Sequence, residues 1–126
     1  MAEKVPTILI SEDEADINNL LALILQAENF NVLQAFDGLS ALETFTAHLD
    51  EIDLIVTDLG LPKMGGVELI EKVRKMKPSV KIIGASGFGR NNVREEVMLA
   101  GADEFMPKPY VTADLVALAK RLLNVA

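Results

Sequence analysis

The amino-acid sequence predicts a doubly wound α/β domain whose five-stranded parallel sheet has the strand order 2-1-3-4-5. Short apolar runs alternate five times with segments in which apolar residues recur at helical spacing. Strands that are joined through crossover helices run parallel and carry helices on both faces of the sheet. The length of 126 residues and the hydrophobic share of 50% suit one domain with a sizeable core. We therefore expect a single domain over residues 1–126.

Each predicted strand is a short run of apolar residues, as expected for strands that are covered on both faces. The runs lie at residues 7–10, 31–36, 52–57, 80–85 and 103–106. A run of this length, bounded by polar or turn-forming residues, favours a strand over a helix.

Apolar residues spaced three or four apart predict one helix after each strand. The predicted inward stripes are Ile17, Leu20, Leu21, Ile24 and Leu25; Leu39, Leu42 and Phe45; Val67, Ile70, Val73 and Met76; Val93, Val97 and Ala100; and Leu115, Leu118 and Leu122. The third helix must end before Pro78, because the residue that precedes a proline avoids helical backbone angles. Gly101 is placed to close the fourth helix, since glycine readily adopts the left-handed conformation found after helix ends.

Charge and composition exclude several classes of function. The chain has 19 acidic against 12 basic residues and a net charge of −7, so its overall field repels nucleic-acid phosphates and anionic membranes. The absence of cysteine excludes a cysteine nucleophile, a disulfide scaffold and cysteine-based metal sites. The longest strongly apolar run, residues 20–25, is far too short to span a bilayer, and residues 1–6 lack the pattern of a signal peptide. We expect a cytoplasmic domain with no direct nucleic-acid or membrane partner.

Polar residues follow four of the five predicted strands at the point where each strand ends. Glu12 and Asp13 follow the first strand, Asp58 the third, Ser86 the fourth and Lys108 the fifth. In open parallel sheets, ligands bind in the crevice outside the carboxyl ends of the strands. With the order 2-1-3-4-5 these four strands are neighbours, and their tips can converge on one small ligand. The second strand, which lies at the edge of the sheet beside the first strand, contributes no such residue.

The residue types at these strand ends favour phosphoryl chemistry supported by a divalent cation. Three carboxylates in one crevice repel one another unless a positive charge lies between them. Mg²⁺ prefers oxygen ligands and commonly binds one or two carboxylates together with phosphate oxygens, which suits Glu12, Asp13 and Asp58. One carboxylate can also act as a nucleophile. A phosphoryl group on Asp58 would then be stabilised by the metal, by Lys108 and by the Ser86 hydroxyl.

Four segments carry a resemblance to a known family. They are Ile-Leu-Ile-Ser-Glu-Asp-Glu at 8–14, Val-Thr-Asp-Leu-Gly-Leu-Pro-Lys-Met-Gly-Gly at 56–66, Ala-Ser at 85–86 and Met-Pro-Lys-Pro-Tyr at 106–110. In these segments and in their spacing the chain resembles the receiver domains of two-component response regulators over nearly its whole length. Such domains have a flavodoxin-like fold. The resemblance implies an aspartyl-phosphate signalling module and not a conventional enzyme.

The same resemblance implies a role for each site residue. Asp58 would be the phosphoacceptor. Glu12 and Asp13 would form the acidic metal site, with the carbonyl of Gly60 as a further Mg²⁺ ligand. Ser86 would be the switch hydroxyl, Lys108 the phosphoryl-binding lysine and Phe105 the switch aromatic residue. A cis peptide bond is implied between Lys108 and Pro109. Two features depart from the family pattern: Glu12 stands where aspartate is commoner, and Gly60 has no side chain. We expect Gly60 and Phe88 to set the lifetime of the phosphoryl group.

Partners also follow from the resemblance. The phosphoryl donor would be a histidine kinase or a histidine phosphotransfer protein, and the domain would be a monomer or a weak dimer linked to phosphorylation. Residues 85–88 and 108–110 resemble receivers at the C-terminal end of hybrid histidine kinases. Whether the domain is a stand-alone regulator or part of a longer sensor kinase is left open.

Several of these residues also have a purely structural interpretation, and one alternative function is open. Ser11 and Glu14 fit a capping box that would simply begin the first helix. Phe105 is equally well a core residue of the last strand, and Ser86 an ordinary turn serine. The basic residues Lys72, Arg74, Lys75, Lys77 and Lys81 complement a helix C-terminus. A degenerate receiver that only binds protein partners is the alternative function.

An enzyme of the hydrolase type is also considered. Residues 84–87 approach a nucleophile elbow, Gly-x-Ser-x-Gly, in which the serine follows a strand. Phe88 replaces the final glycine of that motif, and the only histidine, His48, precedes Ser86 in the chain instead of following it. The sequence therefore does not favour this class.

Overall fold

The predicted sheet is present with the predicted strand order in the computed structural model, which describes residues 4–87 and 93–125. The strands are β1 Thr7–Ser11, β2 Asn31–Ala35, β3 Ile52–Asp58, β4 Lys81–Ser86 and β5 Glu104–Pro107. All four neighbouring pairs are parallel, and the order across the sheet is β2-β1-β3-β4-β5. The fold is therefore flavodoxin-like α/β.

A helix follows each strand, as the apolar spacing predicts. The helices are α1 Ala15–Ala27, α2 Gly38–Ala47, α3 Gly66–Met76, α4 Val93–Ala100 and α5 Thr112–Leu123. Helix α2 is capped by the Asp37 carboxylate, which accepts a hydrogen bond from the Ser40 amide at 2.6 Å. Helix α3 ends at Met76, before Pro78, and Gly101 follows α4 with a φ of 122°. Both helix ends lie where the sequence predicts them.

The sheet separates two apolar clusters, because successive side chains of a buried strand point to opposite faces. On one face, Ile8 and Ile10 of β1 pack with residues of α1 and α5 such as Leu25 and Leu115. On the other face, Leu9 packs with residues of α2, α3 and α4 such as Phe45. A continuous apolar strand is what this double coverage requires.

Two leucines that were predicted to face inward are exposed. Leu20 is 51% exposed and Leu39 is 46% exposed. The buried face of α1 contains Leu21 and Leu25, and in a helix with 3.6 residues per turn Leu20 points about 100° away from Leu21. Helix α2 buries Ala41 and Phe45, which leaves Leu39 outside. The prediction of these two inward positions was wrong.

All five strands differ from their predicted bounds by one residue. Strands β1 and β3 each end one residue later than predicted, at Ser11 and Asp58. Strand β2 ends at Ala35, so that Phe36, which was predicted in the strand, is exposed. Strands β4 and β5 each begin and end one residue later than predicted. The shift makes Ser86 the last residue of β4, where its backbone pairs with Pro107 of β5.

The basic residues near the end of α3 make contacts within the domain. Lys77 donates from Nζ to the carbonyls of Leu49 and Ile52, each at 2.6 Å. The Arg74 guanidinium pairs with Asp103 at 2.8 Å and donates to the Gly101 carbonyl at 3.0 Å. These contacts support a structural interpretation of the basic run. No helix in the described ranges, 4–87 and 93–125, is both long and apolar enough to cross a membrane.

Candidate functional site

Three carboxylates meet at the carboxyl ends of β1 and β3. Glu12 and Asp13 directly follow β1, and Asp58 is the last residue of β3, the strand that pairs with β1. One carboxylate oxygen from each of the three residues lies within 4.8 Å of the others. Glu12 is fully buried and Asp58 is 7% exposed, whereas Asp13 is open to solvent. The structure therefore brings together the three acidic residues that the sequence singles out.

The ammonium group of Lys108 lies between two of these carboxylates. Its Nζ atom is 2.8 Å from Oε1 of Glu12 and 3.3 Å from Oδ2 of Asp58. Lys108 follows β5, and its backbone amide donates to the Ser86 carbonyl at 2.8 Å, which ties the lysine to the end of β4. The Lys108–Pro109 peptide bond is cis, as the resemblance implies.

Burial and charge shift the pKa of both members of this pair. Removal from water raises the pKa of the Glu12 carboxyl, although the hydrogen bond from Lys108 and the hydrogen bond from the Glu14 amide at 3.0 Å work in the opposite direction. Partial burial would lower the pKa of the Lys108 ammonium, but the hydrogen bond to Glu12 and the negative charge of Asp58 outweigh it and raise that pKa. Lys108 therefore stays charged over the physiological range.

The backbone of Glu12 is held by a residue that the sequence reasoning missed. The Asn18 side chain on α1 donates from Nδ2 to the Glu12 carbonyl at 2.9 Å and to the Ala35 carbonyl at 2.8 Å. Asn18 is fully buried. Its position in line with the inward stripe of α1, three residues before Leu21, was the available signal, since a buried amide in a helix needs hydrogen-bond partners.

The structure does not contain the capping box considered for α1. The N-cap residue is Glu14, which makes no side-chain cap, and its backbone amide donates to the Glu12 side chain instead. The Ser11 hydroxyl is buried and makes no hydrogen bond to any described residue. The capping-box interpretation of Ser11 and Glu14 is therefore wrong.

Ser86 and Gly60 border the same cleft as Asp58. Asp58, Gly60, Ser86 and Lys108 line a shallow cleft of about 420 Å³. The Ser86 hydroxyl donates to the Gly87 carbonyl at 3.2 Å. A Cβ atom placed on Gly60 would lie 3.9 Å from Oδ2 of Asp58, so the loop after β3 passes close to this carboxylate.

Phe105 lies outside this cleft. It is partly buried, packs against the cluster on the α2–α4 face of the sheet, and also lines an apolar groove with Val111 and Leu118. In the structure it is thus a core contact with one side open to a groove. Phe88 lies outside the described residues.

Tyr110 is a second residue near the site that the sequence reasoning did not single out. Its hydroxyl is buried without a hydrogen-bond partner among the described residues. Lys108 Nζ lies 5.7 Å from the centre of its ring, at a distance that allows a cation–π interaction. Burial and the negative charges of Glu12 and Asp58 raise the pKa of this hydroxyl.

The donor set fits a hard divalent cation. All three side chains offer carboxylate oxygens, the ligand type that Mg²⁺ prefers, and Asp13 keeps the cluster open to water, which Mg²⁺ retains in its coordination shell. The acidic cluster is consistent with the Mg²⁺ site of receiver domains, and such a triad is typical of a phosphoacceptor site.

Comparison with known proteins gives a consistent result. Among curated proteins, the chain is 36% identical over 124 residues to the alkaline phosphatase synthesis transcriptional regulatory protein SphR of Synechococcus elongatus, a match that covers 93% of this chain and 48% of SphR. It is 30% identical over 118 residues to the sensor kinase CckA of Brucella abortus, covering 94% of this chain and 12% of CckA. The chain thus spans half or less of these relatives.

One solved structure and one family model match nearly the whole chain. A response regulator receiver domain protein from Clostridium thermocellum superposes with a TM-score of 0.90 at 28% identity, covering 95% of each chain. Residues 8–120 match the model of the response regulator receiver domain. The chain therefore belongs to the response regulator receiver domain family, whose members are two-component signalling modules and not conventional enzymes.

Proposed function

We propose that this domain accepts a phosphoryl group on Asp58 from a phosphohistidine and thereby switches a protein-interaction face. The phosphohistidine would belong to a histidine kinase or to a histidine phosphotransfer protein, the partner class with which receiver domains interact. In the transfer, an Asp58 oxygen bonds to phosphorus as the phosphorus–nitrogen bond breaks, and the histidine nitrogen keeps the electron pair. The product is an acyl phosphate on Asp58.

One observation carries this proposal: a single ammonium group contacts both the buried Glu12 and Asp58, at 2.8 and 3.3 Å. A lysine held at the acceptor carboxylate supplies positive charge at the place where phosphoryl oxygens would arrive. Because the Lys108 ammonium remains protonated at neutral pH, this charge does not depend on a proton transfer during the reaction.

The remaining site residues have supporting roles in the proposal. Glu12, Asp13, Asp58 and the carbonyl of Gly60 would hold Mg²⁺. When bound, Mg²⁺ offsets the negative charge that accumulates on the phosphoryl oxygens. The Ser86 hydroxyl sits at the rim of the cleft and would turn from the Gly87 carbonyl to a phosphoryl oxygen.

The conformational response would begin at Ser86 and continue to Phe105. When Ser86 turns toward the phosphoryl group, it leaves space next to β4, and Phe105 on the neighbouring strand is directly paired in register with Gly84. The partly open packing of Phe105 supports its assignment as the switch aromatic residue. Its movement would change the surface formed by α4, β5 and α5.

The proposed function is tested by treating the protein with acetyl phosphate and Mg²⁺ and measuring intact mass. Wild type is expected to gain one phosphoryl group, and Asp58→Asn is expected to gain none. Asp16→Asn is the matched control, because Asp16 is an exposed carboxylate on the first turn of α1 and lies outside the cluster. Equal modification of Asp58→Asn would place the acceptor elsewhere. An unmodified wild type would favour the alternative, a receiver that acts only as a protein-interaction module.

A further inference from the structure

Asn18 is a fully buried polar residue within α1, and its side chain makes no contact with solvent. Its Nδ2 atom donates one hydrogen bond to the Glu12 carbonyl at 2.9 Å and one to the Ala35 carbonyl at 2.8 Å. Both N–H groups of the amide are thereby used. Asparagine is a weak helix former, so its presence here is explained by these side-chain bonds and not by helix propensity.

The orientation of the Asn18 amide is fixed by Gln34 at the edge of the sheet. Gln34 donates from Nε2 to Oδ1 of Asn18 at 2.9 Å and to Oδ1 of the exposed neighbour Asn19 at 2.8 Å. The two carbonyls on the other side of Asn18 can only accept hydrogen bonds. A reversed amide would therefore lose all three bonds of Asn18.

The bonds of Asn18 hold the residue that begins the acidic cluster. Strand β1 ends at Ser11, so Glu12 is the first residue beyond the regular strand pairing with β2. The Glu12 amide donates to the Ala35 carbonyl at 3.1 Å, and Asn18 bonds that same carbonyl as well as the carbonyl of Glu12. The Glu12 amide is thus tied directly to the end of β2, and the Glu12 carbonyl is tied to it through the Asn18 side chain.

We propose that Asn18 is a positioning residue of the acidic cluster, which fixes the Glu12 backbone against the end of β2 and thereby sets the affinity of Glu12, Asp13 and Asp58 for Mg²⁺. The inference rests on the proposed metal site. Outer-shell hydrogen bonds orient the groups that bind a metal and commonly change its affinity by a factor of about 10 to 100 when they are removed. Asn18 would exert such an effect through the main chain. The edge strand β2, which contributes no residue to the cleft itself, then supports the site through Gln34 and Ala35.

The experiment compares Asn18→Leu, Gln34→Ala and Asn19→Ala with wild type. Asn18→Leu keeps the branching of the side chain at Cγ, in a larger volume, and removes its donors and its acceptor. Gln34→Ala removes the hydrogen bonds from Gln34 to Oδ1 of Asn18 and to Oδ1 of Asn19. Asn19→Ala removes only the bond between Gln34 and Asn19 and is the matched control.

Two quantities are measured: the Mg²⁺ dissociation constant from calorimetric titration, and the amide resonance of Glu14 in ion-free protein. The Glu14 amide reports the placement of Glu12 because it donates to Oε2 of Glu12.

We expect the Mg²⁺ dissociation constant of Asn18→Leu to rise about 10-fold. Its Glu14 amide resonance should move as that hydrogen bond lengthens, and saturating Mg²⁺ should restore the rate of phosphorylation. Gln34→Ala should show a smaller weakening in the same direction, and Asn19→Ala should match wild type. If Asn18→Leu fails to fold, the comparison of Gln34→Ala with Asn19→Ala decides the question.

Two results would overturn the proposal, and they are distinguishable. If Asn18→Leu melts at a lower temperature but keeps the wild-type dissociation constant and Glu14 resonance, then Asn18 serves stability alone. The same conclusion holds if Asn18→Leu fails to fold and Gln34→Ala behaves as Asn19→Ala. If wild type itself shows no saturable Mg²⁺ binding, the proposed metal site fails and this inference fails with it.

Discussion

The Nζ atom of Lys108 lies 2.8 Å from Oε1 of Glu12, closer than its 3.3 Å distance to Oδ2 of Asp58. Glutamate is one methylene longer than the aspartate that is commoner at this position, and the fully buried Glu12 carboxylate reaches the ammonium. A cation bound by the acidic cluster would have to share Glu12 with Lys108. The two residues therefore link the charge state of the cluster to the position of the lysine.

Replacing Lys108 should destabilise the unmodified domain in the absence of Mg²⁺. In Lys108→Met the buried Glu12 carboxylate loses its cation, and removing one partner of a buried pair costs about 3–5 kcal/mol. For Lys108→Met we expect a smaller loss in the free energy of unfolding, about 2 kcal/mol, because the Lys108 side chain is 15% exposed and water reaches it. Added Mg²⁺ should recover part of this loss, since it supplies positive charge to the same carboxylates. Urea unfolding with and without Mg²⁺ measures both effects.

Lys120→Met is the matched control for this prediction. Lys120 pairs with Glu28 at 2.7 Å, but both side chains are about one-third exposed. Exposed ion pairs contribute about 0–1 kcal/mol. If Lys120→Met lowers the free energy of unfolding as much as Lys108→Met does, the contact between Lys108 and Glu12 has no special role in stability.

Mg²⁺ should stabilise the unmodified protein, because it relieves repulsion among Glu12, Asp13 and Asp58 and binds only the folded state. For a dissociation constant on the order of 1 mM, about 10 mM Mg²⁺ adds roughly 1.4 kcal/mol to the free energy of unfolding. Asp13→Asn should reduce this gain, whereas Glu43→Gln, an exposed substitution on α2, should leave it unchanged. If Mg²⁺ raises the free energy of unfolding equally in wild type, Asp13→Asn and Glu43→Gln, the gain reflects a general ionic effect and counts against the metal site.

Gly66→Ala should displace the backbone at the end of β3, where Asp58 lies. A Cβ atom at Gly66 would lie 2.3 Å from the Asp58 carbonyl oxygen and 2.6 Å from Cα of Leu59, and both of these are backbone atoms that cannot turn aside. We expect a loss of about 2 kcal/mol or more in urea unfolding, as for other overpacked sites, together with slower phosphorylation. At Gly65 the nearest atom is the Leu59 carbonyl oxygen at 4.0 Å. Gly65→Ala should therefore change the free energy of unfolding little, and an equal effect of both substitutions would contradict this account.

The sheet and the convergence of the acidic residues were predictable from the sequence for a physical reason. Strands covered on both faces are mostly apolar, so they stand out as runs such as residues 52–57, in which Asp53 is the one charged residue. In a parallel sheet the carboxyl ends of neighbouring strands lie at one edge, so the polar residues that follow them are close in space. Glu12, Asp58 and Lys108 are brought together by this topology alone.

Other features depend on side-chain packing that the local pattern does not contain. Leu20 and Leu21 are adjacent leucines, and only the packing of α1 on the sheet decides which of them is buried. Asn18 lies in line with the inward stripe of α1, but its hydrogen-bond partners are defined only once β2 places the Ala35 carbonyl beside it. The closer contact of Lys108 with Glu12 than with Asp58 joins residues 96 positions apart and depends on side-chain conformation.

Tyr110 should make the domain sensitive to alkaline pH. Burial, with a further contribution from the negative charges of Glu12 and Asp58, raises the pKa of its hydroxyl above the value near 10 of an exposed tyrosine. Between these two pKa values the folded state keeps a proton that the unfolded state has lost, so stability falls as pH rises above about 10. The raised pKa of Lys108 acts in the same direction above about 10.5, where the unfolded lysine loses its proton first.

Tyr110→Phe separates the two contributions. The substitution removes a buried hydroxyl that has no partner among the described residues, so we expect it to be neutral or to stabilise the domain at pH 7 by up to about 1 kcal/mol. The free energy of unfolding should fall less steeply with pH above about 10 than in wild type, because only the contribution of Lys108 remains.

Tyr110 is the single tyrosine of the chain, so phenolate absorbance reports this residue alone. In wild type the phenolate should appear together with the loss of circular dichroism as the domain unfolds. A phenolate that forms near pH 10 while the domain stays folded would show that the hydroxyl reaches water and that Tyr110 does not contribute to the alkaline transition.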